Sequence, residues 1–141
     1  MKEGKAKKPK AKSKDKLKSE AVSLAMQLYL HEHTVCEISD CGKTANVAHH
    51  IIHQSRSNYL RCSPRNLCSL CKPHHYRVHF CGFETEFLAE LIRKRGASWF
   101  DTLINDSHIK INDNKAHWEE ELAKLSYVQK LQETGKTEEL P

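Results

Sequence analysis

Two short stretches hold most of the side chains that can do chemistry in this chain. "VAHHIIHQ" (47–54) and "CKPHHYRVH" (71–79) together carry six of its ten histidines. His75 and His79 stand four apart, so on a helix they project from one face a turn apart and can hold one metal ion between them. His49 and His50 are adjacent, and adjacent residues of a strand point to opposite faces. One of the pair can therefore ligate while the other stays free. A free imidazole, with an ordinary pKa near ~6.5, can take a proton from water at neutral pH.

The cysteines add a second centre. Cys36 and Cys41, then Cys71 and His74, are two spaced pairs of the kind that close a four-coordinate zinc site. Cys68 is an alternative to His74, because Cys68 and Cys71 also have zinc-knuckle spacing. The economical division gives Cys36, Cys41, Cys71 and His74 to a structural zinc and leaves His49, His75 and His79 for an open, reactive ion. Three imidazoles admit Zn²⁺, Ni²⁺, Mn²⁺ or Mg²⁺ with different fitness. His53 is a reserve ligand. Cys62 and Cys81 lack spaced partners and are expected as small buried residues, and His31, His33, His108 and His117 as surface histidines. Histidines interleaved with the six cysteines, and no signal peptide ahead of them, favour reduced thiols acting as ligands over a disulfide framework.

Charge is unevenly placed. The chain of 141 residues carries a formal +5, yet residues 1–16 alone hold eight lysines against Glu3 and Asp15, a net +6. This stretch has almost nothing to bury and is expected as a disordered basic arm. Between Asp40 and Glu84 there is no acidic residue, while Lys43, Arg56, Arg61, Arg65, Lys72 and Arg77 are all basic. Positive potential therefore centres on the histidines, where a polyanion is drawn. No apolar run approaches the ~20 residues that cross a bilayer, so a soluble, cytoplasmic protein is expected.

The elements that position these residues follow from periodicity. Leu17, Ala21, Leu24, Ala25 and Leu28 repeat at helical spacing and predict a helix over 17–34. "CEISDCGKTANVAHHII" predicts a hairpin whose Cys pair flanks a turn and whose second strand holds His49 and His50. A polar loop follows, then "LCSLC" as a short strand. Pro73 opens a helix carrying "HHYRVH". Over 83–141 three apolar stripes predict three helices: Phe87 to Ile92, Trp99 to Ile104 and Trp118 to Val128. These stripes are expected as core.

At "AHHIIHQSRSNYLRCSPRNLCSLCKPHHYRVH" the order and spacing of these residues resemble the HNH, or ββα-metal, nuclease superfamily, especially its zinc-stabilised bacteriophage members and NinG-like recombination proteins. The likeness covers Cys36 to His79. It implies an α+β fold: a small ββα-metal core over 35–82 with a structural zinc, flanked by helices on both sides. It implies His50 as general base, Asn66 as the residue whose amide ties down the loop that orients His50, and His49, His75 and His79 as holders of a catalytic divalent ion. Arg61 would face the scissile phosphate or its neighbour. Arg56, Arg65, Lys72 and Arg77 would join it against the nucleic acid.

The function expected is a metal-dependent DNA endonuclease, phage or mobile-element encoded, acting on double-stranded DNA as monomer or homodimer and leaving 5′-phosphate and 3′-hydroxyl ends. The alternative is a non-catalytic zinc module that binds nucleic acid through the same basic surface. Such a module has no use for His50.

Overall fold

A computed structural model describes residues 4–6 and 10–135. Its elements make an α+β architecture in which five helices surround a two-stranded antiparallel sheet. The first helix, α1 (Lys14–Glu32), starts where the side chain of Ser13 accepts a hydrogen bond from the Lys16 amide at 3.2 Å. That cap lies inside the stretch expected as an arm, so the helix begins three residues earlier than the apolar periodicity places it. Of the expected arm, residues 1–3 and 7–9 lie outside the described residues. Leu17, Ala21, Ala25 and Leu28 form the buried face, and the two alanines leave room for the large ring of Trp118.

The hairpin expected around the Cys pair does not form. Only one bridge, Val35 to Thr44, joins its two sides. The segment between is a tight turn with two left-handed residues, Asp40 (φ 63°) and Gly42 (φ 66°), and its amides divide: Cys36 N–H goes to the Lys43 carbonyl (2.9 Å) and Cys41 N–H to that of Ile38 (3.2 Å), while Glu37 N–H reaches the Ser69 carbonyl (2.8 Å) and Ser39 N–H the Glu90 carboxylate (2.7 Å). The chain bends to bring thiols together, which a regular strand pair cannot do. Strand β1 (Val47–His50) pairs instead with β2 (Leu67–Leu70), with Ala48 opposite Ser69, His49 opposite Cys68 and His50 opposite Leu67.

Both faces of this small sheet are covered. Ala48 and Leu67 meet Tyr29 of α1 on one side. Cys68 and Leu70 meet Val78, Phe87 and Leu91 on the other, from α2 (Lys72–Phe80) and α3 (Glu84–Arg95). The order β1, β2, α2 is thus a ββα unit whose helix lies against the His49 face. Gly96, with φ 97°, turns the chain from α3 into α4 (Ala97–Asp106), a conformation costly for any residue with a Cβ.

The last helix, α5 (Lys115–Thr134), is capped by the Asn114 side chain, which accepts from the His117 amide at 2.9 Å. It packs on α1, but Trp118 is its only fully buried residue. Leu122 and Leu125 pack partly buried against the same core as expected, and Leu125 and Val128 also line a groove of ≈ 840 Å³ with Leu28 and Tyr29. Among the described residues no helix is long and apolar enough to cross a membrane.

One polar network ties the elements together. The Glu37 carboxylate accepts from the Ser69 amide, the Tyr29 hydroxyl (2.9 Å) and the Arg95 guanidinium (2.8 Å). Arg95 also donates to the Leu67 carbonyl at 3.0 Å and lies over the Trp99 ring.

Candidate functional site

The turn at 36–42, the end of β2 and the first turn of α2 converge on one group of four donors. Cys36, Cys41, Cys71 and His74 place their ligand atoms within 4.8 Å of one another. Cys36 Sγ and Cys71 Sγ lie 3.5 and 3.3 Å from His74 Nδ1, and Cys41 Sγ lies 3.9 Å from Cys71 Sγ. A zinc ion with ordinary bond lengths has tetrahedral edges of about 3.8 Å between sulfurs and about 3.6 Å between sulfur and nitrogen. The donor set and its edges fit zinc.

Protonation states agree with that fit. Burial, followed by the charges of Arg77 and Lys43, lowers the pKa of His74, which keeps its imidazole neutral and able to ligate. Cys41 is lowered chiefly by a hydrogen bond from the Lys43 amide, whereas burial pushes Cys36 up to about 11. Cys36 thus needs a cation beside it to ionise near neutral pH. Cys68, the alternative ligand, is not in this group: it sits fully buried in β2 with its Sγ on its neighbour's carbonyl. Strand alternation sends its side chain into the core, and His74 completes the set.

Across the sheet from α1 lies a second group. His49 projects from β1 toward α2, where His75 and His79 occupy successive turns of one face. Ring centroids stand 5.6 Å (His49 to His75), 5.0 Å (His49 to His79) and 4.5 Å (His75 to His79) apart, and the Nε2 atoms of His75 and His79 are 2.9 Å apart. The three ligand nitrogens also lie within 4.8 Å of one another. His49 is buried against Phe87, while His79 is exposed, so the group opens to solvent at one end. Burial, then the neighbouring His79 and His75, push His49 down to about 3. It presents a lone pair at any physiological pH.

His50 is held apart from this group. Its Nε2 lies 2.8 Å from the Arg61 carbonyl, and since a carbonyl can only accept, Nε2 carries the proton. The lone pair therefore sits on Nδ1, where the Gln54 amide nitrogen approaches at a long 3.4 Å. Burial lowers the pKa of His50, partly offset by its hydrogen bond to Arg61, so the ring is neutral near pH 7.

The loop that presents the Arg61 carbonyl is fixed by Asn66, which is 1% exposed. Its Oδ1 accepts from the Ile52 amide at 2.7 Å, and its Nδ2 donates to the carbonyls of Ile52 (3.0 Å) and Leu60 (3.4 Å). Both ends of the 52–66 loop are thereby tied to one side chain.

The basic residues divide. Arg56, Lys72 and Arg77 are exposed. Arg65 is paired with Asp106 at 2.7 Å. Arg61 turns inward and donates to Asn58 Oδ1 (3.0 Å), Gln54 Oε1 (3.1 Å) and the Gln54 carbonyl (2.8 Å), leaving two of its five N–H groups. Gln54, which the sequence pattern does not single out, is thus the link between His50 and Arg61. Its only sequence signal is a position four residues after His50.

The remaining candidates fall outside both groups. His53 faces Glu84 at 3.7 Å, and His31 is exposed beside Glu32. His33 stacks on Tyr29 and closes the end of α1, His108 is exposed and His117 lies against Trp118. Cys62 is buried as expected. Cys81 is exposed, because it ends α2 where the chain leaves the core through the left-handed Gly82.

No protein-family model matches the chain, and no curated protein or solved structure matches it at a significant level.

Proposed function

We propose that the protein is a metal-dependent DNA endonuclease of the HNH type, with a structural zinc at Cys36, Cys41, Cys71 and His74. The observation that carries this reading is the division of labour within β1. His49 joins two helix histidines in a convergent three-imidazole group, while its neighbour His50 is held by a backbone carbonyl with its lone pair on Nδ1, met only by the long Gln54 contact.

His50 Nδ1 takes the proton of a water that enters in place of the long Gln54 contact. The fixed proton on Nε2 and the Arg61 carbonyl stabilise the imidazolium that results. Asn66 and Gln54 hold the loop and so hold His50 in place. His49, His75 and His79 would hold a divalent ion, which would supply Lewis-acid charge for the phosphate and the departing oxygen. Water attacks phosphorus in line with the 3′ oxygen, leaving a 5′-phosphate and a 3′-hydroxyl. Arg56, Lys72 and Arg77 meet the flanking phosphates, while Arg61 braces the loop and offers only its two spare N–H groups.

The test compares two variants in a plasmid-nicking assay with metals restored one at a time. His50→Ala is expected to lose about 10²- to 10⁴-fold in cleavage while keeping DNA binding and metal content. His75→Ala is expected to lose the divalent ion together with the activity. Near-wild-type nicking by His50→Ala across the pH range would overturn the mechanism and favour the non-catalytic zinc module.

A further inference from the structure

The proposed chemistry uses one face of α2 and leaves the next unaccounted for. One position on from His75 and His79 runs a second stripe: Lys72, Tyr76 and Phe80, each a turn from the next. Tyr76 is 60% exposed and Phe80 is 74% exposed, two of the largest apolar exposures on the described surface. Their rings lie 5.0 Å apart at 38° to each other, forming a continuous aromatic surface that ends 6.1 Å from the His79 ring.

A folded protein gains nothing by holding a tyrosine and a phenylalanine in water. The surroundings say what would cover them. The stripe starts with an exposed lysine, Arg77 stands beside it over the Phe83 ring at 4.9 Å, and the chain from 41 to 83 has no acidic side chain to repel an anion. Aromatic faces flanked by cations and spaced along one helix match the alternation of bases and phosphates in an unpaired nucleic-acid strand. A continuous duplex buries its base faces in its own stack and offers nothing to these rings.

We propose that Tyr76 and Phe80 form a stacking platform for unpaired bases next to the scissile phosphate, so that the preferred substrate is DNA with a single-stranded stretch at the cleavage point. The inference rests on the endonuclease reading above and deepens it by naming the substrate class. Lys72, at the other end of the stripe, takes a phosphate of the same strand.

The experiment measures binding apart from cleavage. Full-length protein carrying His50→Ala is titrated against two oligonucleotides of one sequence, a continuous duplex and a duplex with a three-nucleotide gap, each with 2-aminopurine at the test position. Binding of the gapped DNA is expected to be tighter and to quench 2-aminopurine in the gap. Adding Tyr76→Ala and Phe80→Ala should lower the ratio of gapped to continuous affinity by about tenfold or more, since each stacked base is worth about 1–3 kcal/mol. Tyr76→Phe should retain the ratio, because it keeps the ring.

An unchanged ratio in the double alanine variant overturns the platform, as does equal binding of the two DNAs by the parent. So does a change in oligomeric state without a change in ratio, which would assign the stripe to self-association. A platform that quenches 2-aminopurine in a protein whose wild-type form cleaves neither DNA leaves the stacking proposal standing and removes the endonuclease reading.

Discussion

Asn66 concentrates more consequence in one side chain than any other residue near the candidate site. It is buried, and its amide answers both the donor and the acceptor of Ile52, 14 residues away. Asn66→Ala leaves those two groups without partners and is expected to destabilise by about 2–4 kcal/mol, read as a lowered denaturant midpoint. Asn66→Asp is expected to be at least as damaging, although it is nearly the same size. A carboxylate has no N–H for the Ile52 and Leu60 carbonyls and sets oxygen against oxygen. If Asn66→Asp unfolds at the wild-type midpoint at neutral pH, the loop is not held in this way. The fixed proton on His50 Nε2 depends on the same loop, since Arg61 lies within it.

At the scale of elements, the Glu37 and Arg95 network joins the zinc turn, α1, β2 and α3. Burial opposes ionisation of Glu37, but the Ser69 amide and the Arg95 guanidinium outweigh it and hold the carboxyl below its ordinary value of 4.5. A carboxyl depressed in the folded state contributes stability that is present above its unfolded pKa and lost as pH falls through the folded one. Acid unfolding below about pH 4.5 is therefore expected to be shallower in Glu37→Gln than in wild type, with a cost of about 1–3 kcal/mol at pH 7. Parallel acid-unfolding curves for the two proteins would remove Glu37 from this role. A smaller joint holds α5 to α1: Asp113 accepts from the buried Trp118 indole at 2.7 Å and lies 3.4 Å from both Lys14 and Lys18. Asp113→Ala is expected to loosen that end, giving a red shift and stronger quenching of Trp118 fluorescence.

At the scale of the whole molecule, the Cys3His group joins the 36–41 turn to the first turn of α2, while Glu37 and Ser39 tie the same turn to β2 and α3. The amides of Cys36 and Cys41 bond within the turn, those of Glu37 and Ser39 reach Ser69 and Glu90, and the Ile38 and Cys41 side chains are only partly buried. Purified folded protein is expected to contain about one equivalent of tightly held zinc, and chelation is expected to unfold it or lower its melting temperature sharply. Less than half an equivalent by elemental analysis in folded protein would count against a structural zinc. The lysines ahead of Ser13 act over a different range, as charges that meet phosphates without reading bases. Deleting residues 2–12 removes six lysines. The slope of log affinity for DNA against log salt is then expected to become shallower, by up to about 5 if all six displace counterions. An unchanged slope would make the segment irrelevant to DNA binding.

Residue spacing alone determined much of this arrangement. The His-x₃-His pair, the two cysteine-containing pairs and the helix opened by Pro73 are local patterns, set by a turn of helix or a tight loop within a few residues, and all recur in the structure as grouped ligand atoms. The later apolar stripes became α3, α4 and α5 for the same reason. The tertiary structure decided what spacing leaves open. It paired β1 with β2 and not with the Cys36–Cys41 turn, which itself reaches β2 through the Glu37 amide on the Ser69 carbonyl. Strand alternation in that pairing then sent His49 to α2, His50 to the Arg61 carbonyl and Cys68 into the core, while the first turn of α2 brought His74 to Cys36 and Cys71. It also turned Arg61 inward onto Gln54 and left Tyr76 and Phe80 facing water. The β1–β2 pairing, the meeting of His49 with His79 and that of Cys36 with His74 join residues distant in the chain, a relation that side-chain order within a segment does not encode.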